Sequence, residues 1–157
     1  MRVGVSVGVK CLCGKTDCVE AIASSIGIDN CARLLRNQYS TRLNIPGDDA
    51  RVSVKEVFQL SREGDPLCMK LVDNVVRALA DLIMNLVRVS DPDTVVLGGE
   101  MVADGFLLEK IKQHLHDVTM RFVTHGVVIT KLNPRYISLL GAGALAVDGI
   151  EELCDEE

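Results

Sequence analysis

The chain has 157 residues, 48% of them hydrophobic, with a formal net charge of −5 and a sequence pI of about 5.2. This length suits one domain with a single sizeable core, and an acidic chain without runs of Lys or Arg is not built to hold nucleic-acid phosphates. No apolar run approaches the ~18–20 residues of a membrane span and no secretory signal is evident, so we expect a cytoplasmic protein.

The N-terminal third is predicted to contain a strand, two helices and a loop. Alternation with a period of two predicts a β-strand formed by Val3, Val5, Val7 and Val9. A helix is expected from about Cys18 to Ile26, with Asp17 as its N-cap and Gly27 as its end. A second helix is predicted over residues 29–38, followed by a loop that contains Pro46-Gly47-Asp48-Asp49.

Helix-start signals are strongest in the middle of the chain. The capping box Ser53-Val54-Lys55-Glu56 predicts a helix to about Glu63, ended by Gly64. Asp65 as N-cap and Pro66 at the first helical position then predict the longest helix. Apolar residues cover so much of its circumference that we expect it to be packed on most sides.

Two short apolar runs predict buried strands in the C-terminal half. The first is Thr94–Leu97, which is expected to lead through a tight strand-to-helix turn at Gly98-Gly99, and the second is Val127–Thr130. Helical sequence over about 105–119 separates them, and a closing helix over about 138–148 is rich in small residues that would allow close packing on a sheet. Strands alternating with helices predict a helix-rich α/β domain, and the N-terminal strand suggests partners further upstream.

Three of the six cysteines fall within eight residues, in the pattern C-x-C-x4-C formed by Cys11, Cys13 and Cys18. In a cytosolic protein such a cluster indicates metal binding before a disulfide, and Zn²⁺ prefers four N or S ligands in a tetrahedron. Gly14 permits a tight turn between the ligands. No fourth ligand is evident, and only candidates in principle remain, which are Cys31, Cys68, Cys154, His114, His116 and His125. The alternative is a set of small packing residues or free thiols.

The stretch from Cys11 to Glu20 resembles the signature C-x-C-G-x-x-G-C-x-E of the ROK family (repressor, open reading frame, kinase). The matching positions are Cys11, Cys13, Gly14, Cys18 and Glu20. Asp17 departs from the pattern, since the family usually has Gly there. Residues 62–65, 91–99 and 140–146 are similar to further family segments in the same order, so the resemblance covers nearly the whole chain.

The resemblance implies that residues 1–157 form a single C-terminal lobe of an actin-like, RNase-H-like ATPase fold, incomplete at its N-terminus. It implies a structural Zn²⁺ held by the three clustered cysteines and by a His that precedes Cys11 by about ten residues in the family. That His would fall at or before Met1, so we expect Met1 to be an artificial or mispredicted start and the fourth ligand to be missing from this chain.

The resemblance also assigns two ligand-binding positions. Glu20 would accept hydrogen bonds from hydroxyls of a hexose or hexosamine, and Gly98-Gly99 would border the nucleotide in kinase members. From the residues alone, Glu20 is an ordinary carboxylate in the first turn of a helix, and Gly98-Gly99 is a tight turn.

Our leading hypothesis is a sugar-sensing ROK transcriptional regulator, similar to the xylose repressor, represented by its effector-binding part. The family's Asp-x-Gly-x-Thr phosphate loop, its catalytic Asp and the repressors' helix-turn-helix are absent from this sequence, so we expect neither phosphoryl transfer nor direct DNA contact from this chain alone. Glu100 stands where kinase members usually have a third Gly, and its carboxylate would repel a polyphosphate.

Two alternatives stay open. One is the C-terminal lobe of an ATP-dependent, glucokinase-like ROK sugar kinase, which would also use ATP and Mg²⁺. The other is a zinc-stabilised interaction domain that binds no sugar. In each case we expect self-association, because a lobe without its partner exposes an apolar face that tends to be covered.

Overall fold

The computed structural model describes residues 1, 3–47, 50–133 and 135–154. Its elements in chain order are α1 (Val19–Ala23), α2 (Ser25–Leu35), α3 (Val54–Arg62), α4 (Pro66–Ser90), β1 (Thr94–Leu97), α5 (Phe106–Lys112), α6 (Asp117–Met120), β2 (Gly126–Ile129) and α7 (Ile137–Cys154). Asp48 and Asp49 of the predicted loop lie outside the described residues, as does the side chain of Cys154.

The long helix α4 is the centre of the molecule, and α1, α2, α3 and α5 pack against it. Its start is the one predicted, since the carboxylate of Asp65 accepts a hydrogen bond from the N–H of Cys68 at 3.0 Å and Pro66 occupies the first turn. The predicted start of α3 is also confirmed, because the hydroxyl of Ser53 accepts a bond from the N–H of Glu56. Both faces of α4 contribute to the main apolar core, as the wide apolar arc indicates.

The predicted N-terminal strand is wrong. Residues 3–9 form no strand and pair with none in the part of the chain that the structure describes. Their N–H groups bind carboxylates instead: Gly4 donates to Asp81 at 2.7 Å, and residues 7–9 all donate to Asp17. Asp17 is therefore not the N-cap of the following helix, which was also expected of it.

The helix predicted over residues 18–26 is divided at Ser24. The hydroxyl of Ser24 donates to the carbonyl of Glu20 at the end of α1 and accepts from the N–H of Gly27 at the start of α2. This double use of one side chain separates two helices without a glycine. Gly27, the predicted end of the helix, lies inside α2, where its backbone touches that of Ala21 in α1.

Gly27→Ala is expected to destabilise the protein by about 2 kcal/mol, because overpacking of a tight contact typically costs about 1–3 kcal/mol. An added Cβ would lie 2.6 Å from the carbonyl carbon and oxygen of Ala21, and backbone there cannot move aside without displacing α1. Urea unfolding measures the effect. Gly143→Ala in α7 is the control, since nothing lies within 4 Å of its added Cβ. Equal loss of stability in both variants would contradict the close approach of α1 and α2.

The two predicted C-terminal strands form a parallel pair, β1 with β2, in the register Thr94–Gly126 to Leu97–Ile129. The chain crosses from one to the other through α5 and α6, which divide the single helical segment expected there. The strands were predicted to be buried, and this is wrong for one face. Val96 and Val128 are paired neighbours and are 60% and 38% exposed, since no described element covers them.

The closing helix α7 begins where expected and continues to Cys154. Its residues 138–147 are exposed, with Leu139 71% and Leu145 75% accessible, so the expected close packing on the sheet is wrong for this structure. None of the helices in the described part of the chain combines the length and apolar character that a membrane span requires.

Candidate functional site

The cysteine-bearing segment folds as a small hairpin. Lys10 and Thr16 form an antiparallel bridge, and within it the N–H of Cys11 donates to the carbonyl of Lys15 at 2.7 Å. The turn is closed by the N–H of Gly14, which donates to the carbonyl of Cys11 at 3.0 Å. Gly14 has φ 81°, a conformation that glycine adopts without steric cost. The tight turn that this glycine predicted is therefore present.

The hairpin brings together the three predicted sulfurs. Cys18, which immediately precedes α1, is buried, whereas Cys11 is half-buried and Cys13 is exposed. All three Sγ atoms lie within 4.8 Å of one another, and those of Cys13 and Cys18 are 3.6 Å apart. Tetrahedral Zn²⁺ with Zn–S bonds of about 2.3 Å places sulfurs about 3.8 Å apart. The three side chains therefore suit a single thiophilic ion with little movement.

The surroundings of the cluster shift the pKa values of Cys13 and Cys18 in opposite directions. Hydrogen bonding at the backbone of Lys15 and then from the thiols of Cys11 and Cys18 lowers the pKa of Cys13. Hydrogen bonding to Cys13 and burial raise the pKa of Cys18 to about 11. Because the raised pKa keeps Cys18 protonated at neutral pH, binding of a metal to all three sulfurs must release that proton.

None of the candidate fourth ligands that the structure describes joins the cluster. Cys31 and Cys68 are buried in α2 and α4. His114 has its Nδ1 3.1 Å from the carbonyl of Lys110, and the Nδ1 of His125 is 3.3 Å from the hydroxyl of Thr124. Among the described residues, the cluster thus offers three sulfur ligands and no fourth protein ligand.

Glu20 projects from the same structural unit. Its neighbours Ala21 and Ile22 are buried, which fixes α1 with Glu20 outward. Glu20 lies on the wall of a cavity of about 230 Å³ that Cys11 also lines, and its carboxylate forms no hydrogen bond or ion pair with the described residues. A free carboxylate at the edge of a cavity is able to accept hydrogen bonds from ligand hydroxyls.

The remaining wall of this cavity adds groups that sequence patterns did not single out. Lys10 and Asn30 contribute donors, Ser24 a hydroxyl, and Ile26 and Leu12 apolar surface. Asn30 comes from α2, and it reaches the cavity because α2 packs across α1. No local motif indicates that approach. Polar groups beside an apolar wall are suited to a small polyhydroxylated ligand.

Gly98-Gly99 follows β1 as predicted, and Gly99 has φ 108°. The expected tight connection into a helix is wrong, because a series of turns leads from Gly99 to Gly105 and α5 begins only at Phe106. No helix N-terminus therefore stands directly at the glycine pair. Glu100, the next residue, is exposed and lines a second cavity of about 390 Å³.

Charges of both signs line this second cavity. Lys55 and Arg62 are opposed by Glu100 and Asp104. Arg62 forms an ion pair with Asp104, and its guanidinium carbon lies 4.2 Å from the ring centre of Phe106. Ser25 lines this cavity, whereas Ser24 and Ile26 line the cavity of Glu20. The start of α2 thus lies between the two cavities, and the second one begins at Glu100 rather than at Gly98-Gly99.

Among characterised proteins, the chain is 32% identical over 122 residues to a glucokinase of Halalkalibacterium halodurans, a match that covers 76% of this chain and 37% of the relative. It is 27% identical over 141 residues to the DNA-binding transcriptional dual regulator NagC of Escherichia coli, covering 88% of this chain and 34% of the regulator. The chain therefore spans only about a third of the length of these relatives.

A solved ROK hexokinase from Thermus thermophilus superposes on 83% of this chain and 41% of its own, with a TM-score of 0.58 and 23% identity. That likeness shows the fold, a partial α/β lobe of the actin-like type. Residues 2–148 match the model of the ROK family. The shared fold and the match across nearly the whole sequence show that the chain belongs to the ROK family.

Proposed function

We propose that this chain is the effector-binding part of a sugar-responsive ROK transcriptional regulator. Glu20 accepts hydrogen bonds from hydroxyls of a hexose or hexosamine, and a structural Zn²⁺ on Cys11, Cys13 and Cys18 fixes the position of α1. The observation that carries this proposal is the shared cavity, which has the free carboxylate of Glu20 and the half-buried Cys11 on its wall.

The sulfur cluster suits a positioning role. Cys18 lies directly before α1, and Cys11 and Cys13 lie on the hairpin on the other side of the cluster. An ion held by all three joins the hairpin to the helix that carries Glu20. When bound, Zn²⁺ supplies this cross-link and stabilises the thiolates. The residues of the chain do the recognition: a carboxylate accepts, and Lys10 and Asn30 donate.

The charges of the second cavity, which begins at Glu100 directly after Gly98-Gly99, favour a regulator over a kinase. A polyphosphate needs converging positive charge and Mg²⁺, but Glu100 and Asp104 oppose the two cations there and Arg62 is already paired. Similarity to NagC, a transcriptional regulator, is consistent with this choice.

A kinase lobe is the second candidate. The observation that favours it is 32% identity to a glucokinase. In that case Gly98-Gly99 borders ATP and Mg²⁺, and a further lobe supplies the phosphate loop and the catalytic base.

Sugar binding can be measured by titration calorimetry of the zinc-loaded chain with glucose, N-acetylglucosamine and xylose, with sorbitol as a non-cyclic comparison. We expect one of the sugars to bind, and Glu20→Ala to weaken that binding at least tenfold, because hydrogen bonds to a charged group contribute about 1.5–3 kcal/mol. Glu109→Ala is the control, since Glu109 is exposed on α5 and pairs only loosely with Lys112 at 3.7 Å.

Unaltered affinity in Glu20→Ala, or no heat with any sugar, would remove the proposed role. Titration with ADP and Mg²⁺ separates the two candidates. A regulator part should give no heat with this nucleotide, whereas binding at micromolar concentrations would favour the kinase lobe.

A further inference from the structure

Asp17 has a backbone conformation that side chains disfavour. Its φ is 55°, in the left-handed region, and only 5% of the residue is exposed. Glycine takes this conformation without steric cost, and Asp and Asn tolerate it better than other residues. Asp17 also stands at the position where the ROK signature usually has Gly. The turn itself therefore needs no side chain here, and the buried carboxylate requires a separate explanation.

The carboxylate gathers three successive backbone donors. Its Oδ1 accepts from the N–H of Val7 at 3.1 Å, Gly8 at 2.8 Å and Val9 at 3.1 Å. Gly8 has φ 86°, so the chain curls around the oxygen instead of continuing as a strand. The N–H of Asp17 in turn donates to the carbonyl of Val9 at 2.9 Å. One residue thus closes the base of the hairpin through both its main chain and its side chain, with charge-assisted bonds.

This closure acts on two of the sulfurs. Cys11 follows Val9 by two residues, and Cys18 is the residue after Asp17. The connection between Val9 and Asp17 therefore fixes how far apart the main chains that carry Cys11 and Cys18 can lie. We propose that Asp17 is a positioning residue that preorganises the three sulfurs for a metal ion without binding the ion itself. This inference rests on the metal site in the proposed function, and preorganisation lowers the cost of binding.

Three variants test the role of Asp17. Asp17→Gly removes the carboxylate but keeps the left-handed turn, and we expect it to weaken Zn²⁺ binding at least tenfold, within the range typical of groups that orient metal ligands. Asp17→Asn keeps an oxygen acceptor and tolerates the turn, and should stay within about threefold of the original protein. Asp81→Ala is the matched control, because Asp81 binds the same N-terminal segment at Gly4 rather than at residues 7–9, and should leave metal affinity unchanged.

The metal measurements use Zn²⁺ competition with a chromophoric chelator and Co²⁺ absorption. In Asp17→Gly the cobalt–thiolate charge-transfer band should weaken and the d–d bands should lose the intensity of tetrahedral coordination. Asp17→Asn should keep both bands near those of the original protein, as expected if an oxygen acceptor at this position orients the sulfurs. Equal loss in Asp81→Ala would mean that any loosening of the N-terminal segment has this effect, and would overturn the inference.

A metal-free measurement keeps the inference separate from the metal site. In a Cys13→Ser background, glutathione disulfide oxidises the Cys11 and Cys18 thiols to a disulfide and is itself reduced to two glutathione molecules. The equilibrium constant gives the effective concentration of the two thiols, with the disulfide located by peptide mass spectrometry. We expect Asp17→Gly to lower the effective concentration of the Cys11 and Cys18 thiols at least tenfold. Equal values with and without Asp17→Gly overturn the positioning role. A fall in this value while the original protein binds neither Zn²⁺ nor Co²⁺ refutes only the metal site.

Discussion

Asp65→Ala is expected to lower the free energy of unfolding by about 3 kcal/mol, because a buried carboxylate with several donors stabilises more than an ordinary helix cap. Asp65 is 3% exposed. It accepts hydrogen bonds from the hydroxyl of Thr41 at 2.8 Å and from the N–H groups of Arg42 at 2.7 Å and Cys68 at 3.0 Å. Alanine would leave both N–H groups without their acceptor at the start of the central helix. Urea unfolding followed by circular dichroism measures the loss.

Asp73→Ala is the matched control, since Asp73 lies on the same helix but is 35% exposed and pairs with Arg77 and Lys70 on the surface. Exposed pairs contribute about 0–1 kcal/mol, so this variant should stay close to the original protein. A similar loss of stability in both variants would mean that α4 gains nothing special from its N-cap, and would contradict the prediction.

The pH dependence of the same site has a definite sign. Burial opposes ionisation of Asp65, but the hydrogen bonds from Arg42, Cys68 and Thr41 outweigh it and hold its pKa below the ordinary value of 3.8. A carboxyl whose pKa is lower in the folded state stabilises the protein above its unfolded pKa, and this stabilisation is lost as the pH falls through the folded pKa. Asp65→Asn should therefore lose less stability between neutral pH and pH values below 3.8 than the original protein does.

The elements that sequence patterns predicted correctly are those with local causes. Ser53 and Asp65 cap their helices with their own side chains, and Pro66 needs only a first-turn position. The four-residue strands β1 and β2 follow from short apolar runs. Such features depend on neighbours within a few residues, so the sequence contains all the information that they require.

The errors arise where distant groups decide the outcome. The alternating valines predict a strand, but the carboxylates of Asp17 and Asp81 take their N–H groups. Ser24 rather than Gly27 divides the first helices because the glycine is needed for contact between α1 and α2. The burial expected of α7 and of both strand faces depends on which other elements cover them. The apolar pattern of a helix or strand does not specify which element packs against it.

In the candidate site, too, the features with local causes were predictable and those that depend on distant packing were not. The spacing of the cysteines and Gly14 was sufficient to predict that the sulfurs converge. The position of Glu20 in the first turn of a helix was also predictable, but the cavity beside it depends on the packing of α2, which brings Asn30 to the same wall. Asp17 was predicted to cap the helix that follows it. Its carboxylate instead accepts hydrogen bonds from the preceding segment, and a capping pattern does not indicate contacts in that direction.

Cys13→Ser is expected to reduce zinc affinity by a factor of roughly 10³, because it removes one of three sulfur ligands, and a complete structural site of four ligands derives an apparent ~10–16 kcal/mol from them. Cys13 is the appropriate target because it is exposed, so its replacement should not disturb the core. Its pKa is lowered whereas that of Cys18 is raised, so of these two thiols Cys13 is the more readily available as thiolate. Metal content after dialysis against a weak chelator should fall from about one zinc per chain to nearly none.

Cys31→Ala is the control for loss of a thiol outside the cluster. Cys31 is 1% exposed, and its sulfur lies 3.9 Å from the carbonyl of Ala21. This variant should unfold more easily yet retain its zinc, whereas Cys13→Ser should keep its fold and lose the metal. If instead Cys13→Ser retained a full equivalent of zinc, the three sulfurs would not form the site. Glu20 would then owe its orientation to the packing of Ala21 and Ile22 alone, and metal removal would leave sugar affinity unchanged.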